Sequence, residues 1–120
     1  MRYAHFTRAD FPAYRGWYAD EELNRQLGPM DAAWLEQVLA KATGVQLSFF
    51  LGEALVAVAG VALPPTPDLP YVITDLAVQP ERRRQGIGST ALALLLAAAE
   101  FAEATVWEAY VSPGNPWVVC

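Results

Sequence analysis

Four of the seven residues between positions 64 and 70 are prolines (Pro64, Pro65, Pro67 and Pro70), and neither a helix nor a central strand can run through such a stretch. It is a stiff loop that divides the chain into two kinds of architecture. Before it, the β-rich runs 45–50 and 54–63 flank Gly52-Glu53, the chemistry of a tight turn between antiparallel strands. After it comes a third β-rich run, 71–78, then an Ala/Leu-rich helix, 87–103. That helix is apolar almost all round, as expected for one buried against a sheet. A strand rich in β-branched and aromatic residues, 105–111, follows. Strands 71–78 and 105–111, joined through a helix, are expected to be parallel, whereas the earlier strands form a meander.

Upstream, residues 2–7 suit an opening strand. Asp10 can cap a helix with Pro12 in its first turn and Tyr14, Trp17 and Tyr18 on one side, stopped by Gly28-Pro29. Asp31 can cap a second helix, in which Trp34, Leu35, Val38 and Leu39 make an apolar stripe, with Thr43-Gly44 ending it. The expected fold is a single α/β domain over residues 1–120. Its mixed central sheet is flanked by helices, in the order β-α-α-β-β-β-α-β.

Composition bounds the function. A chain of 120 residues, 54% hydrophobic and 18% charged, can build one core and is neither a disordered tail nor a charged linker. Its longest apolar run, 91–99, is about half of the roughly 20 residues that span a bilayer. One cysteine, Cys120, and one histidine, His5, cannot make a disulfide framework or a Cys/His zinc site, so no metal is expected and a reducing cytoplasm is. A net charge of −5 argues against nucleic-acid or anionic-membrane partners. Three of the eight basic residues are nevertheless consecutive: Arg82, Arg83 and Arg84. On charge alone this is either a solvated run on a loop or the one place where a small anion would bind.

The neighbours of that cluster separate the two. Glycines at a helix start let backbone N–H groups approach a phosphate, and the helix dipole favours the anion there. Three phosphate-binding patterns compete. A P-loop needs GxxxxGK[ST], and the only lysine is Lys41, far away. Gly86-Ile87-Gly88-Ser89-Thr90-Ala91 matches GxGxxA, with Glu108 twenty residues past Gly88. A dinucleotide turn, however, follows its strand almost directly, and here residues 79–85 intervene. The third pattern is RxxGxG, formed by Arg83, Gly86 and Gly88 after Leu76-Ala77-Val78-Gln79-Pro80-Glu81-Arg82-Arg83 and before the Leu-rich helix.

That stretch closely resembles the acyl-CoA-binding signature of the GNAT N-acetyltransferase superfamily, and the element order over residues 2–111 resembles that family's as well. The resemblance implies that backbone amides from Arg83 through Arg84, Gln85, Gly86, Ile87 and Gly88 to Ser89 cradle the pyrophosphate of acetyl-CoA, with Arg82 and Arg84 near the 3′-phosphate. It implies that Leu76, Ala77 and Val78 pair their backbone with the pantetheine arm where two parallel strands splay, one N–H polarising the thioester carbonyl.

The implied activity is transfer of an acetyl group to a primary amine, of a small molecule or a protein, by direct attack. Asp75, next to Leu76, is the candidate to take the amine proton, Glu53 a weaker one, and His5 more a surface or core residue than a base. Tyr14, Trp17, Tyr18 and Trp34 fall where the family covers its acceptor, although core packing accounts for most of them. At the C-terminus, Ser112-Pro113-Gly114-Asn115-Pro116 resembles the family's turn, Asn115 standing at its asparagine. The usual following helix, its acid tyrosine and further strands have no counterpart, and Tyr110 does not match that tyrosine by position. An acyl-CoA-binding module, or a subunit active only as a homodimer, is therefore the alternative to an independent enzyme.

Overall fold

The computed structural model describes residues 1–109, 111–112 and 115–119. Strands β1 (Arg2–His5), β2 (Gly44–Leu51), β3 (Ala54–Ala62) and β4 (Tyr71–Val78) form an antiparallel meander in chain order. The β2–β3 turn falls at Gly52-Glu53 as expected, with Gly52 at φ 60°, a backbone that glycine adopts without penalty. After the proline loop, β4 runs parallel to β5 (Trp107–Ala109), in register from Tyr71 opposite Trp107 to Ile73 opposite Ala109.

The two strands then part. Past Ile73 the same edge of β4 is taken by β7 (Asn115–Val119), antiparallel, with Leu76 opposite Val119, and β7 pairs in turn with β6 (Val111–Ser112). The expected strand order holds through β5, and the short β6–β7 pair extends the sheet beyond it.

Helices cover both faces. Successive residues of a strand point to opposite sides, and Val58 and Ala59 of β3 accordingly belong to different cores. On one side, Ile87, Ala91 and Leu95 of α4 (Ile87–Ala97) pack on Leu47, Phe49, Val56 and Leu76. On the other, Phe11 and Tyr14 of α1 (Phe11–Gly16), Leu23 of α2 (Glu21–Leu27) and Leu35 of α3 (Ala32–Ala40) pack with Phe6 and Trp17 on Leu55, Val58 and Ala77. Each buried Leu, Ile, Val or Phe side chain among these contributes about 1.5–3 kcal/mol.

Three expectations are corrected. The first helical region is two helices, because Asp20 adopts an extended ψ of 120° and its carboxylate caps α2 by accepting from the Leu23 N–H at 2.9 Å. The acidic pair Glu21-Glu22 behind it is the matching first turn. Asp10 makes no capping bond to α1; it accepts instead from the Thr7 N–H and from Ser48 Oγ, both at 3.0 Å, and so satisfies the one buried polar side chain of the described residues. The long helix ends at Ala97, where extended Ala98 and a 3-10 turn, Ala99–Phe101, swing Phe101 beneath Tyr71 and Trp107. Burying that ring outweighs the helix propensity of the residues around it. Asp31 caps α3 as expected, accepting from the Trp34 N–H at 3.0 Å.

Candidate active site

The site begins with a register slip. Gly60 of β3 faces Asp75 of β4, but the next pair is Val61 with Ile73, so Thr74 is an extra residue on β4. A bulge of this kind re-aims side chains, and here Thr74 and Asp75 open into the same space. Gln46 Nε2 donates to one carboxylate oxygen of Asp75 and Thr74 Oγ1 to the other, each at 2.8 Å. A Cβ on Gly60 would overlap the Asp75 carboxylate and lie 2.6 Å from Thr74 Oγ1 and 2.8 Å from Gln46 Oε1. The carboxylate therefore rests where only a glycine leaves room. Burial pushes the Asp75 pKa above its ordinary value, against the opposing pull of the two donors and of the Lys41 charge.

Two cavities meet at Thr74, Asp75 and Trp34. One, of about 440 Å³, extends past Gln37, Val38, Lys41 and Gln46; the other, of about 290 Å³, extends past Tyr14, Tyr18, Gln26 and Met30. The hydroxyls of Tyr14 and Tyr18 share a hydrogen bond of 2.6 Å. Burial raises both phenol pKa values, so both stay protonated at neutral pH. Of the four aromatics singled out in the sequence, Trp17 is core alone, edge-on to Tyr14 at 5.3 Å, while Tyr14, Tyr18 and Trp34 also wall the cavities.

The basic loop lies at the other end of β4. Arg83 does not project freely: its guanidinium grips Asp20 through Nη2–Oδ2 at 2.9 Å and Nη1–Oδ1 at 3.4 Å, tying the loop to the cap of α2. This pair and the Leu23 N–H hold the Asp20 carboxyl below its ordinary pKa. Arg82 Nε donates to Gln79 Oε1 at 3.0 Å, and Arg84 is exposed with φ 66°, an uncommon left-handed backbone for a residue with a side chain. Gly86 is left-handed as well, at φ 76°, and its carbonyl accepts the Thr90 N–H at 3.1 Å. The amides at Ile87, Gly88 and Ser89 open α4, where a helix has no preceding turn to accept them, the N–H array that a helix start presents to an anion. Gln85 and Ser89 are exposed, whereas the Ile87 side chain and Gly88 are buried.

Leu76, Ala77 and Val78 are buried, their side chains spent on the cores, which leaves only backbone for any other role. At Leu76 that backbone edge is paired with Val119. Asn115 opens β7 opposite Ser112; its side chain, and Tyr110, fall outside the described residues. Glu53 is exposed in the β2–β3 turn and lines neither cavity. His5 is likewise exposed, its Nε2 2.8 Å from Glu100 Oε1. Among the described residues there is no cluster of metal-ligating side chains, and no helix is long and apolar enough to cross a membrane.

The sheet parts between β4 and β5, a glycine-bearing helix start lies beyond the end of β4, and a carboxylate is set into that strand. The profile of the Acetyltransferase (GNAT) family matches residues 6–118, and the chain belongs to that family. Solved structures agree on the fold. A transcriptional regulator from Bacillus halodurans C-125 superposes with a TM-score of 0.76 at 16% identity, covering 96% of this chain and 84% of that one. A GNAT family acetyltransferase from Staphylococcus aureus gives 0.68 at 12% identity, covering 88% and 82%. An aminoglycoside 6′-N-acetyltransferase from Acinetobacter haemolyticus gives 0.65 at 17%, covering 96% and 82%. No curated protein matches the chain.

Proposed function

We propose that this protein transfers the acetyl group of acetyl-CoA to a primary amine, with Asp75 taking the amine proton. The observation that carries this reading is the placement of one carboxylate with a raised pKa at the junction of two cavities, one residue before the β4 backbone that the family resemblance gives to the donor. A general base works best when its pKa lies nearer the operating pH than an ordinary carboxylate's, and Asp75 is shifted in that direction.

The loop suits the donor. The amides of Ile87, Gly88 and Ser89 at the start of α4 and the left-handed Gly86 leave room and donors for a pyrophosphate, while Arg84 and Arg82 stand nearby for a further phosphate. The Arg83 side chain is engaged with Asp20, so its share is structural: it fixes the loop. Bound acetyl-CoA would supply an activated acetyl thioester. Asp75 would accept the proton of an incoming ammonium, Thr74 and Gln46 would hold its carboxylate in place, and the aromatic walls would keep bulk water from it. The described residues offer Tyr14 and Tyr18 as the nearest phenols to Asp75, both protonated.

A second reading has an observation of its own. The Leu76–Val119 pairing covers the β4 edge that the pantetheine arm would need, as in a protein that binds acyl-CoA only when that strand is displaced or that acts only as a dimer. We favour a cytoplasmic homodimer; a stable monomer near 13 kDa in light scattering over a micromolar dilution series would refute it. Calorimetry with acetyl-CoA, followed by thiol release with a panel of amines, separates the readings. Binding with turnover supports the transferase, binding without turnover supports the module, and no binding defeats both.

A further inference from the structure

The larger cavity carries a charge pattern that the transfer reaction does not require. Its lining holds two charged residues, Asp75 at one side and Lys41 at another, and Lys41 is the only lysine in the chain. The two do not close on each other: Lys41 is in none of the ion pairs among the described residues, yet its charge is near enough to pull on the Asp75 pKa. A cation outside the ion pairs of the described residues and a carboxylate held only by neutral donors thus line one cavity.

Lys41 is exposed, and its stem has one close neighbour. It caps the C-terminal end of α3, where the helix dipole favours a cation. Its stem lies across Gly44, since a Cβ there would stand 3.1 Å from both Cδ and Cε. The same cavity is lined by Trp34, Val38 and Val45, with Gln37 as a neutral polar residue.

Resting on the transferase reading, we propose that the acceptor is an amine that also bears a carboxylate, an amino-acid-type zwitterion. Its ammonium lies on Asp75 and its carboxylate on the Lys41 ammonium. The pattern disfavours the alternatives by repulsion: a diamine would bring a second cation to Lys41, and a dicarboxylate a second anion to Asp75. The apolar lining of the cavity suits a short hydrocarbon spacer or side chain.

The test is a panel of α- and ω-amino acids, each assayed with acetyl-CoA beside its own carboxamide, in the wild type and in Lys41→Met, Lys41→Arg and Gly44→Ala. The wild type is expected to prefer the free acid by about tenfold or more in kcat/KM, the size of one charge-assisted contact. Lys41→Met should collapse that ratio towards one through KM, Lys41→Arg should retain most of it, and Gly44→Ala, which displaces the lysine stem, should reduce it. Calorimetry of the amino acids alone, without donor, should show binding that Lys41→Met removes. Equal use of acid and carboxamide by the wild type, or an equal loss for both in Lys41→Met, would overturn the proposal while leaving acetyl transfer standing. Acetylation of simple alkylamines or polyamines only would do the same. If no amine of any kind is acetylated, the transferase reading fails, and the donor-free calorimetry alone decides whether the cavity binds zwitterions.

Discussion

Replacing Gly60 with alanine places one methyl group where the Asp75 carboxylate lies. Two opposing effects set the magnitude. Alanine restricts the unfolded chain and by itself stabilises a strand position by about 0.4–1 kcal/mol. Forcing a methyl group into a filled space costs about 1–3 kcal/mol, and here the displaced group is a carboxylate that must also slacken its bonds to Gln46 and Thr74. The net expectation for Gly60→Ala is a loss of about 1–2 kcal/mol. With an unfolding entropy near 2.1 cal/mol/K per residue, a chain of 120 residues loses about 4 °C in Tm per kcal/mol, so the midpoint should fall by roughly 4–8 °C. If Asp75 is the base, a carboxylate moved by about 1 Å should also cost on the order of a hundredfold in kcat.

The decisive assay is a double-mutant cycle with Asp75→Ala, followed by thermal and urea unfolding. With the carboxylate gone, the main obstacle to the new methyl group is gone too, and Gly60→Ala should become neutral or stabilising. The coupling should then exceed about 1 kcal/mol. Additivity within about 0.5 kcal/mol would refute the contact between these two residues.

Four further outcomes are expected. Asp75→Asn should slow transfer by about 10² to 10⁴ with little change in acetyl-CoA affinity. The same substitution should raise Tm at neutral pH: the folded state favours the protonated acid, so stability is full below the ordinary value of 3.8 and falls as pH rises through the raised pKa, a loss that asparagine escapes. Asp20→Asn should behave oppositely, because the Asp20 carboxyl is held low by Arg83 and the Leu23 N–H; its deficit in Tm should be present at neutral pH and fade as pH falls below 3.8. Gly86→Val, at φ 76° with open space around the position, should act through the backbone rather than by a clash and abolish acetyl-CoA binding by calorimetry while the far-UV spectrum is retained. Gly88 is buried in the first turn of α4 and is a poorer probe, since a side chain there would disturb packing as well as the loop.

The strands were legible because their signals are local: β-branched runs, a Gly-Glu turn and a proline barrier. The phosphate loop was legible because glycine spacing is itself a local code, and Asp75 because it adjoins that code. Less visible were the residues that make Asp75 usable. Gln46, Lys41 and Gly60 reach it from other elements, and the bulge at Thr74 that aims it is a property of the β3–β4 pairing rather than of either strand. A glycine inside the apolar run 54–63 is the one trace of it in the sequence, since such a residue marks a bulge or a close approach. The break at Asp20 is hidden because the helical pattern continues across it; Asp20 caps the second helix, and the ion pair that holds its carboxylate comes from Arg83, 63 residues away.

The ladder pair between Leu76 and Val119, the one such pair of β4 and β7 among the described residues, gives the proposed donor edge an internal rival. A ligand that pairs with β4 there must first evict the protein's own strand, so its apparent affinity is the intrinsic one multiplied by the fraction of molecules with that edge bare. One backbone pairing is worth about 0.5–1.5 kcal/mol, which hides the edge in most molecules and weakens apparent binding roughly three- to fourteenfold. Salt would tune the phosphate end of such a ligand and leave this toll untouched, so a residual penalty that persists at every ionic strength, and vanishes when residues 115–120 are deleted, would be the signature of the tail rather than of the loop.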